Sequence, residues 1–153
     1  MLFRTHLIFS LLIGTLTFQY FNFNPYLFVA LVALGGMIPD IDKTGSTINN
    51  TLKITKPITL ITKHRGLFHS LFFGALISSL IIFYFNKPIG VALLIGFLSH
   101  ILIDGLNEAG VNFIYPLQKL HLSGPIETGS VSEHILTIIL TIFFLIRIKI
   151  LFF

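Results

Sequence analysis

Long apolar segments dominate this chain and constrain its fold more than any other feature. A bilayer core about 30 Å thick is crossed by about 20 mostly apolar helical residues. Charged residues make up only 10% of the chain, whereas an ordinary soluble domain carries about 25%. The sequence therefore predicts an all-α, polytopic membrane bundle with four to five transmembrane helices in a single domain, 1–153. The predicted spans, of which the second is short, cover about residues 7–23, 25–38, 67–85, 88–106 and 134–152.

Basic residues are distributed unevenly between the two sides of this predicted bundle. With five spans, the N-terminus and both long polar connections, 40–66 and 107–133, lie on one side of the membrane. Seven of the ten basic residues fall on that side and three on the other. Because basic loops stay in the cytoplasm, we expect a multi-pass inner membrane protein whose long loops are cytoplasmic.

The absence of cysteine narrows the chemistry of any metal site. With no cysteine in the chain, disulfides, thiolate metal ligands and cysteine nucleophiles are excluded. A metal ion would have to be held by imidazole nitrogen and carboxylate oxygen, the usual ligands of Zn²⁺ and Mn²⁺ when no thiolate is present.

The acids and histidines gather at one level of the predicted bundle. Ionisable residues inside spans are costly and usually face the bundle interior or a wet cavity. In the five-span topology every acid and every histidine lies on the cytoplasmic side or in the helix turns nearest it, so a shared site is the simplest explanation. The acids are Asp40, Asp42, Asp104, Glu108, Glu127 and Glu133, and the histidines are His6, His64, His69, His100, His121 and His134.

The spacing of these residues supports a common site. His100 and Asp104 are four residues apart in an apolar run, so they share one face of a helix. Asp40 and Asp42 follow Pro39 where a helix should end, and in an extended stretch both carboxylates would point the same way. The alternative for any single member is a solvated helix end, and for His100 and Asp104 it is a structural hydrogen-bonded pair.

The same residues carry a resemblance to a known family. The sequence resembles the YdjM-type family of inner-membrane-associated, metal-dependent hydrolases, and the matching blocks occur in the family's order over most of the chain. The resemblance implies a helical membrane protein with metal-dependent hydrolase chemistry. The blocks are Thr5-His6, Gly36 to Asp42, His64 to Ser70 and Gly96 to Asp104.

We therefore expect a divalent metal site, of one or two Zn²⁺ or Mn²⁺ ions, that activates water for hydrolysis of an ester or phosphoester. Asp42 is expected to orient a ligand or act as a general base, and Glu133 to act as a ligand or base. Arg65 is expected to bind the anionic part of the substrate, although a plain basic charge at the membrane surface explains it equally well. The predicted metal ligands are His6, Asp40, His64, His69, His100 and Asp104.

Expected partners follow from the position of this site. A site at the level of the headgroups suits a lipid or lipid-linked substrate, and a soluble phosphoester is equally allowed. The chain has no nucleic-acid-binding motif, so we expect no nucleic-acid partner. Two other classes stay open: a metal-ion or proton transporter, and a non-catalytic membrane protein with a structural metal site.

Overall fold

The computed structural model describes residues 1–42, 69–115 and 121–152, without the side chains of residues 41, 42 and 152. This part of the chain is mostly helical, as the sequence predicts. Two 3₁₀ turns, Phe18–Tyr20 and Ile38–Asp42, follow the first two helices. The α-helices are α1 (Phe3–Thr17), α2 (Pro25–Gly35), α3 (Leu71–Tyr84), α4 (Lys87–Asp104) and α5 (Val131–Phe152).

Polar side chains mark where several of these helices begin. Asn24 accepts a hydrogen bond from the backbone N–H of Leu27 at 3.0 Å, directly before Pro25 opens α2. Ser70 accepts one from the N–H of Phe73 at the start of α3. A side-chain oxygen before the first turn satisfies an N–H that has no partner within the helix. These residues therefore set the starts of the helices near both ends of the bundle.

Two helices in the described ranges have the length and composition of a membrane span. They are α4, with 18 residues, and α5, with 22 residues, which correspond to about 27 Å and 33 Å at 1.5 Å per residue. Helices α2 and α3 are apolar but shorter. Of the four to five transmembrane helices predicted, two thus have the length and composition of a span, and the other described helices are shorter.

Helix α5 presents most of its apolar side chains outward. Ile135, Ile138, Ile142 and Ile146 are about half exposed, and only 6% of the most apolar window of α5 is buried within the protein. A soluble protein rarely exposes an apolar surface of this extent. Lipid is the environment that suits such a helix.

Helix α4 is the centre of the bundle, and small residues let its neighbours approach closely. A Cβ atom added at Gly96 would overlap the carbonyl oxygen of Val32 in α2. On the other side of the bundle, a Cβ atom at Gly74 of α3 would overlap the ring of Phe97. Close helix packing through small residues is typical of membrane proteins, where burial of apolar surface does not drive association.

The second polar connection contains a short structure that the all-α expectation did not include. Strands β1 (Val111–Asn112) and β2 (His121–Leu122) form a two-stranded antiparallel ribbon, with Val111 opposite Leu122. Val111 is buried against Phe97 and Ile101 of α4. The ribbon therefore packs over the end of α4 that carries His100 and Asp104.

The Gly96 contact yields a prediction about stability. Gly96→Ala should destabilise the protein by about 3 kcal/mol, the upper end of the usual range for overpacking, because the added methyl group meets backbone rather than a flexible side chain. Thermal unfolding of the detergent-purified protein, followed by circular dichroism, measures this effect. The control is Gly105→Ala, whose Cβ atom would approach only the carbonyl oxygens of Leu102 and Ile101, at 3.2 and 3.6 Å. Equal melting temperatures for the two variants would contradict the packing argument.

Candidate metal centre

Imidazole and carboxylate side chains from four separate elements meet at one end of the bundle. Each of them is at most 6% exposed. Two groups of three have ligand atoms within 4.8 Å of one another: one joins His6 to His100 and Asp104, and the other joins Asp40 and His69 to His100. We call these five residues the His–Asp cluster. The structure thus brings together five of the six predicted metal ligands.

His100 lies at the centre of the cluster, and a backbone contact fixes its orientation. Its Nδ1 atom lies 2.7 Å from the carbonyl oxygen of Gly36, at the end of α2. Since a carbonyl oxygen only accepts, Nδ1 carries the hydrogen, and in the neutral ring Nε2 then holds a lone pair. That Nε2 atom is 3.6 Å from Asp104 Oδ2 and, among the described residues, has no hydrogen-bond partner. A buried lone pair that faces a carboxylate is unfavourable unless a cation, either a proton or a metal ion, lies between them.

His6 stacks on His100 across the interface between α1 and α4. The two ring centroids are 3.8 Å apart and the ring planes differ by 9°. Two imidazolium rings would repel each other strongly at this distance in a buried site, so the stacking favours neutral rings, the form that binds metal. A hydrogen bond of 2.8 Å between the hydroxyls of Ser10 and Ser99 holds the two helices in this alignment.

Asp104 divides its two oxygen atoms between two sets of neighbours. Oδ1 accepts a hydrogen bond from the amino group of Met1 at 3.0 Å and lies 3.4 Å from His6 Nε2. Oδ2 lies 3.9 Å from His69 Nε2 and 3.6 Å from His100 Nε2. The Oδ2 side is therefore the one where two imidazoles and a carboxylate face one another.

His69 and Asp40 complete this side of the cluster. His69 Nε2 is 4.0 Å from Asp40 Oδ1, and the His69 ring meets that of His100 edge-on, with centroids 5.4 Å apart. Around a tetrahedral zinc ion with bonds of about 2.0–2.2 Å, neighbouring donor atoms lie about 3.3–3.6 Å apart. The observed separations of 3.6 to 4.0 Å exceed these by a few tenths of an ångström. Each group of three donors thus suits a metal ion in its chemistry and approximate spacing.

The local structure at Asp40 differs from the sequence prediction. The Asp40–Asp42 stretch was expected to be extended, which would direct both carboxylates the same way. It forms a 3₁₀ turn, Ile38–Asp42, where residues two apart are rotated by about 240°. The extended backbone from which the convergence of Asp40 and Asp42 was inferred is therefore not present, and Asp40 itself reaches the cluster. The Asp42 side chain, His64 and Arg65 lie outside the described residues.

Glu133, the predicted ligand or base, makes a different set of contacts. One carboxylate oxygen accepts hydrogen bonds from the N–H of Leu2 at 2.6 Å and from the hydroxyl of Thr5 at 2.9 Å. The other accepts one from the N–H of Gly129 at 2.7 Å. The structure does not bring Glu133 into either group of three, and its contacts tie the start of α1, and with it His6, to the start of α5.

Several groups that shape the candidate metal site could not be predicted from the sequence. The Gly36 carbonyl and the Met1 amino group are backbone atoms, and no side-chain pattern signals them. The Ser10–Ser99 pair lacks a signal as well, because isolated serines are common in membrane helices. The two remaining described histidines, His121 and His134, are exposed and outside the cluster.

Comparison with known proteins relates this chain to a family of inner membrane proteins. The sequence profile of the family described as YdjM inner membrane protein matches residues 1–152. The chain belongs to this family. It is 31% identical over 142 residues to the uncharacterized protein YvsG of Bacillus subtilis, an alignment that covers 91% of this chain and 89% of that protein. No solved structure matches.

Two relatives carry the family name itself. The inner membrane protein YdjM of Escherichia coli and that of Shigella flexneri are each 39% identical to this chain over 89 residues, which cover 52% of this chain and 44% of the relative. Membership in the YdjM inner membrane protein family confirms the resemblance predicted from the motifs. It also supports association with the inner membrane bilayer. None of these names states a reaction, so any activity has to be inferred from the site.

The contacts of Glu133 predict a structural role that can be measured. Glu133→Ala removes the acceptor of the N–H groups of Leu2 and Gly129, and a hydrogen bond to a charged group contributes about 1.5–3 kcal/mol. We expect a clear fall in the melting temperature of the purified protein. Glu127→Ala, which removes an exposed carboxylate, is the control and should leave the melting temperature unchanged. An unchanged melting temperature for Glu133→Ala would contradict the structural role.

Proposed function

We propose that this protein is a membrane-bound, metal-dependent hydrolase of esters or phosphoesters, whose divalent ion is held by the His–Asp cluster. The observation that carries the proposal is the buried Nε2 atom of His100, which faces Asp104 at 3.6 Å with its hydrogen placed on the opposite nitrogen. Lipid and lipid-linked phosphoesters are the favoured substrates, because the cluster lies at one end of a bundle of apolar helices.

The donor set favours Zn²⁺ or Mn²⁺ and a single ion. Imidazole suits both metals, and carboxylate oxygen is a common ligand of each. Both groups of three share His100, and because its Nδ1 atom is bonded to Gly36, only Nε2 is left to bind a metal. One shared nitrogen supports one ion at the centre of the cluster rather than two independent sites.

The residues of the cluster have distinct roles in the proposed chemistry. A divalent ion at this site would supply Lewis acidity and lower the pKa of a coordinated water towards neutrality. Gly36 holds His100 in the tautomer that binds metal. On the Oδ1 side of Asp104, the amino group of Met1 balances the charge of the carboxylate, and His6 Nε2 lies 3.4 Å away. Asp42 as a general base, Arg65 as the anion-binding residue and His64 as a further ligand remain predictions from the sequence.

A structural metal site is the second candidate, and one observation favours it. His69 and His100 are fully buried among the described residues, and a closed site is typical of a structural ion. Transport has less support, because polar groups of a transporter gather near the bilayer midplane, whereas this cluster lies where α1 begins and α4 ends. The excess of basic residues in the long loops supports a multi-pass topology with the cluster at the cytoplasmic end.

Metal content is the first prediction of this proposal. The detergent-purified protein should retain about one equivalent of Zn²⁺ or Mn²⁺, measured by mass spectrometry of the metal after desalting. His100→Ala and Asp104→Asn should each lose it, because each removes a donor that faces the centre of the cluster. His121→Ala, an exposed histidine on β2, should keep the metal. Equal metal content in His100→Ala and His121→Ala would contradict the proposed site.

Hydrolysis is the second prediction. The metal-loaded protein should cleave at least one member of a panel of phosphoesters and carboxylic esters, including lipid phosphates, and a chelator should abolish the activity. Asp40→Asn should reduce the rate by about 10- to 100-fold or more, as loss of a group that supports a metal site does. His134→Ala, outside the cluster, is the control. A structural site would be favoured instead if the protein turned over no substrate and removal of the metal lowered its melting temperature.

A further inference from the structure

An apolar cavity of about 430 Å³ lies at the end of the bundle opposite the His–Asp cluster. Thr15 on its wall is nine residues along α1 from His6, a separation of about 14 Å. The volume is within the range of sites for small organic ligands. The cavity is formed where α1 ends, α2 begins and α5 ends, and it is lined by Thr15, Phe18, Pro25, Tyr26, Val29, Phe144, Ile148 and Leu151.

One cationic side chain lies beside this cavity. Arg147 follows Phe144 by three residues and precedes Leu151 by four, so it borders the lining face of α5. Its Nε atom donates to the carbonyl oxygen of Thr15 at 3.3 Å, and its Nη2 atom donates to Gln19 Oε1 at 3.4 Å. Both bonds are longer than typical N–H···O bonds.

The guanidinium of Arg147 retains the capacity to bind an anion. Guanidinium has five N–H donors, and the two bonds above occupy two of them. Among the described residues, no carboxylate forms an ion pair with Arg147. A cation near the end of a membrane helix is usually paired or directed to the headgroups, so an anionic headgroup is the natural partner.

Aromatic residues indicate the depth of this end in the bilayer. Tyr20, in the 3₁₀ turn after α1, and Tyr26, in the first turn of α2, are both largely exposed. Tyrosine is enriched at the membrane–water interface, where its ring lies at the level of the headgroups. This places Arg147 near the phosphates of the lipids while the cavity extends into the hydrocarbon.

We propose that this cavity binds one acyl chain of an anionic phospholipid, whose phosphate is held by Arg147. An anionic lipid is favoured over a zwitterionic one because, although both carry the phosphate, the ammonium group of a zwitterionic headgroup would be repelled by the charge of Arg147. An apolar wall beside a single guanidinium matches a molecule with a hydrocarbon tail and one anionic head. The proposal does not depend on the metal centre, because no residue of the His–Asp cluster lines the cavity.

Native mass spectrometry of the full chain in detergent tests this proposal directly. The probes are phosphatidylglycerol and phosphatidylcholine with identical acyl chains, added at equal concentrations. We expect one tightly bound phosphatidylglycerol, preferred over phosphatidylcholine by about tenfold, because the choline ammonium would lie near the charge of Arg147 and weaken binding of the shared phosphate. Arg147→Gln should lower phosphatidylglycerol binding to the level of phosphatidylcholine.

Two further variants separate the cavity from general surface charge. Ile148→Trp, which fills the cavity from α5, should reduce binding of both lipids. Lys149→Gln removes an exposed charge two residues from Arg147 and should leave the preference intact. Equal effects of Arg147→Gln and Lys149→Gln on lipid binding would overturn the proposal. It would also be overturned if Ile148→Trp reduced the abundance of a dimer and left lipid binding unchanged.

Discussion

The hydrogen bond from His100 to the carbonyl oxygen of Gly36 is the contact on which the candidate site depends. It joins α4 to the end of α2 and leaves the second nitrogen of His100 directed at Asp104. It forms only because α2 and α4 approach closely at Gly96, where a side chain would meet backbone. Packing of small residues in the bundle thus favours the tautomer in which Nδ1 of the central histidine carries the hydrogen.

The helices and part of the site were predictable, because both depend on periodic patterns. His100 and Asp104, four residues apart, share a helix face as expected. The bounds were harder to predict: α1 begins at Phe3 rather than near residue 7, since polar Thr5 and His6 are buried through contacts with distant residues. The sequence suggested a chemical role for Glu133. Its structural role depends on hydrogen bonds from the backbone N–H groups of Leu2 and Gly129, which no sequence pattern indicates.

The two ends of the bundle have contrasting chemistry. One end gathers imidazoles and carboxylates under the β1–β2 ribbon, and the other combines an apolar cavity with Arg147. Helix α5 connects them: Glu133 holds the start of α1 in place, and Arg147 contacts the end of the same helix. The packing of α5 on α1 therefore positions His6 as well as the wall of the cavity.

X-ray absorption spectroscopy of the zinc-loaded protein tests the central claim, that buried imidazoles and a carboxylate hold one metal ion. The account predicts nitrogen and oxygen donors at about 2.0–2.1 Å and the outer-atom scattering of at least two imidazole rings. In Asp104→Asn this signal should weaken or vanish. A zinc spectrum with no imidazole contribution, or one identical in the wild-type protein and His100→Ala, would contradict the account.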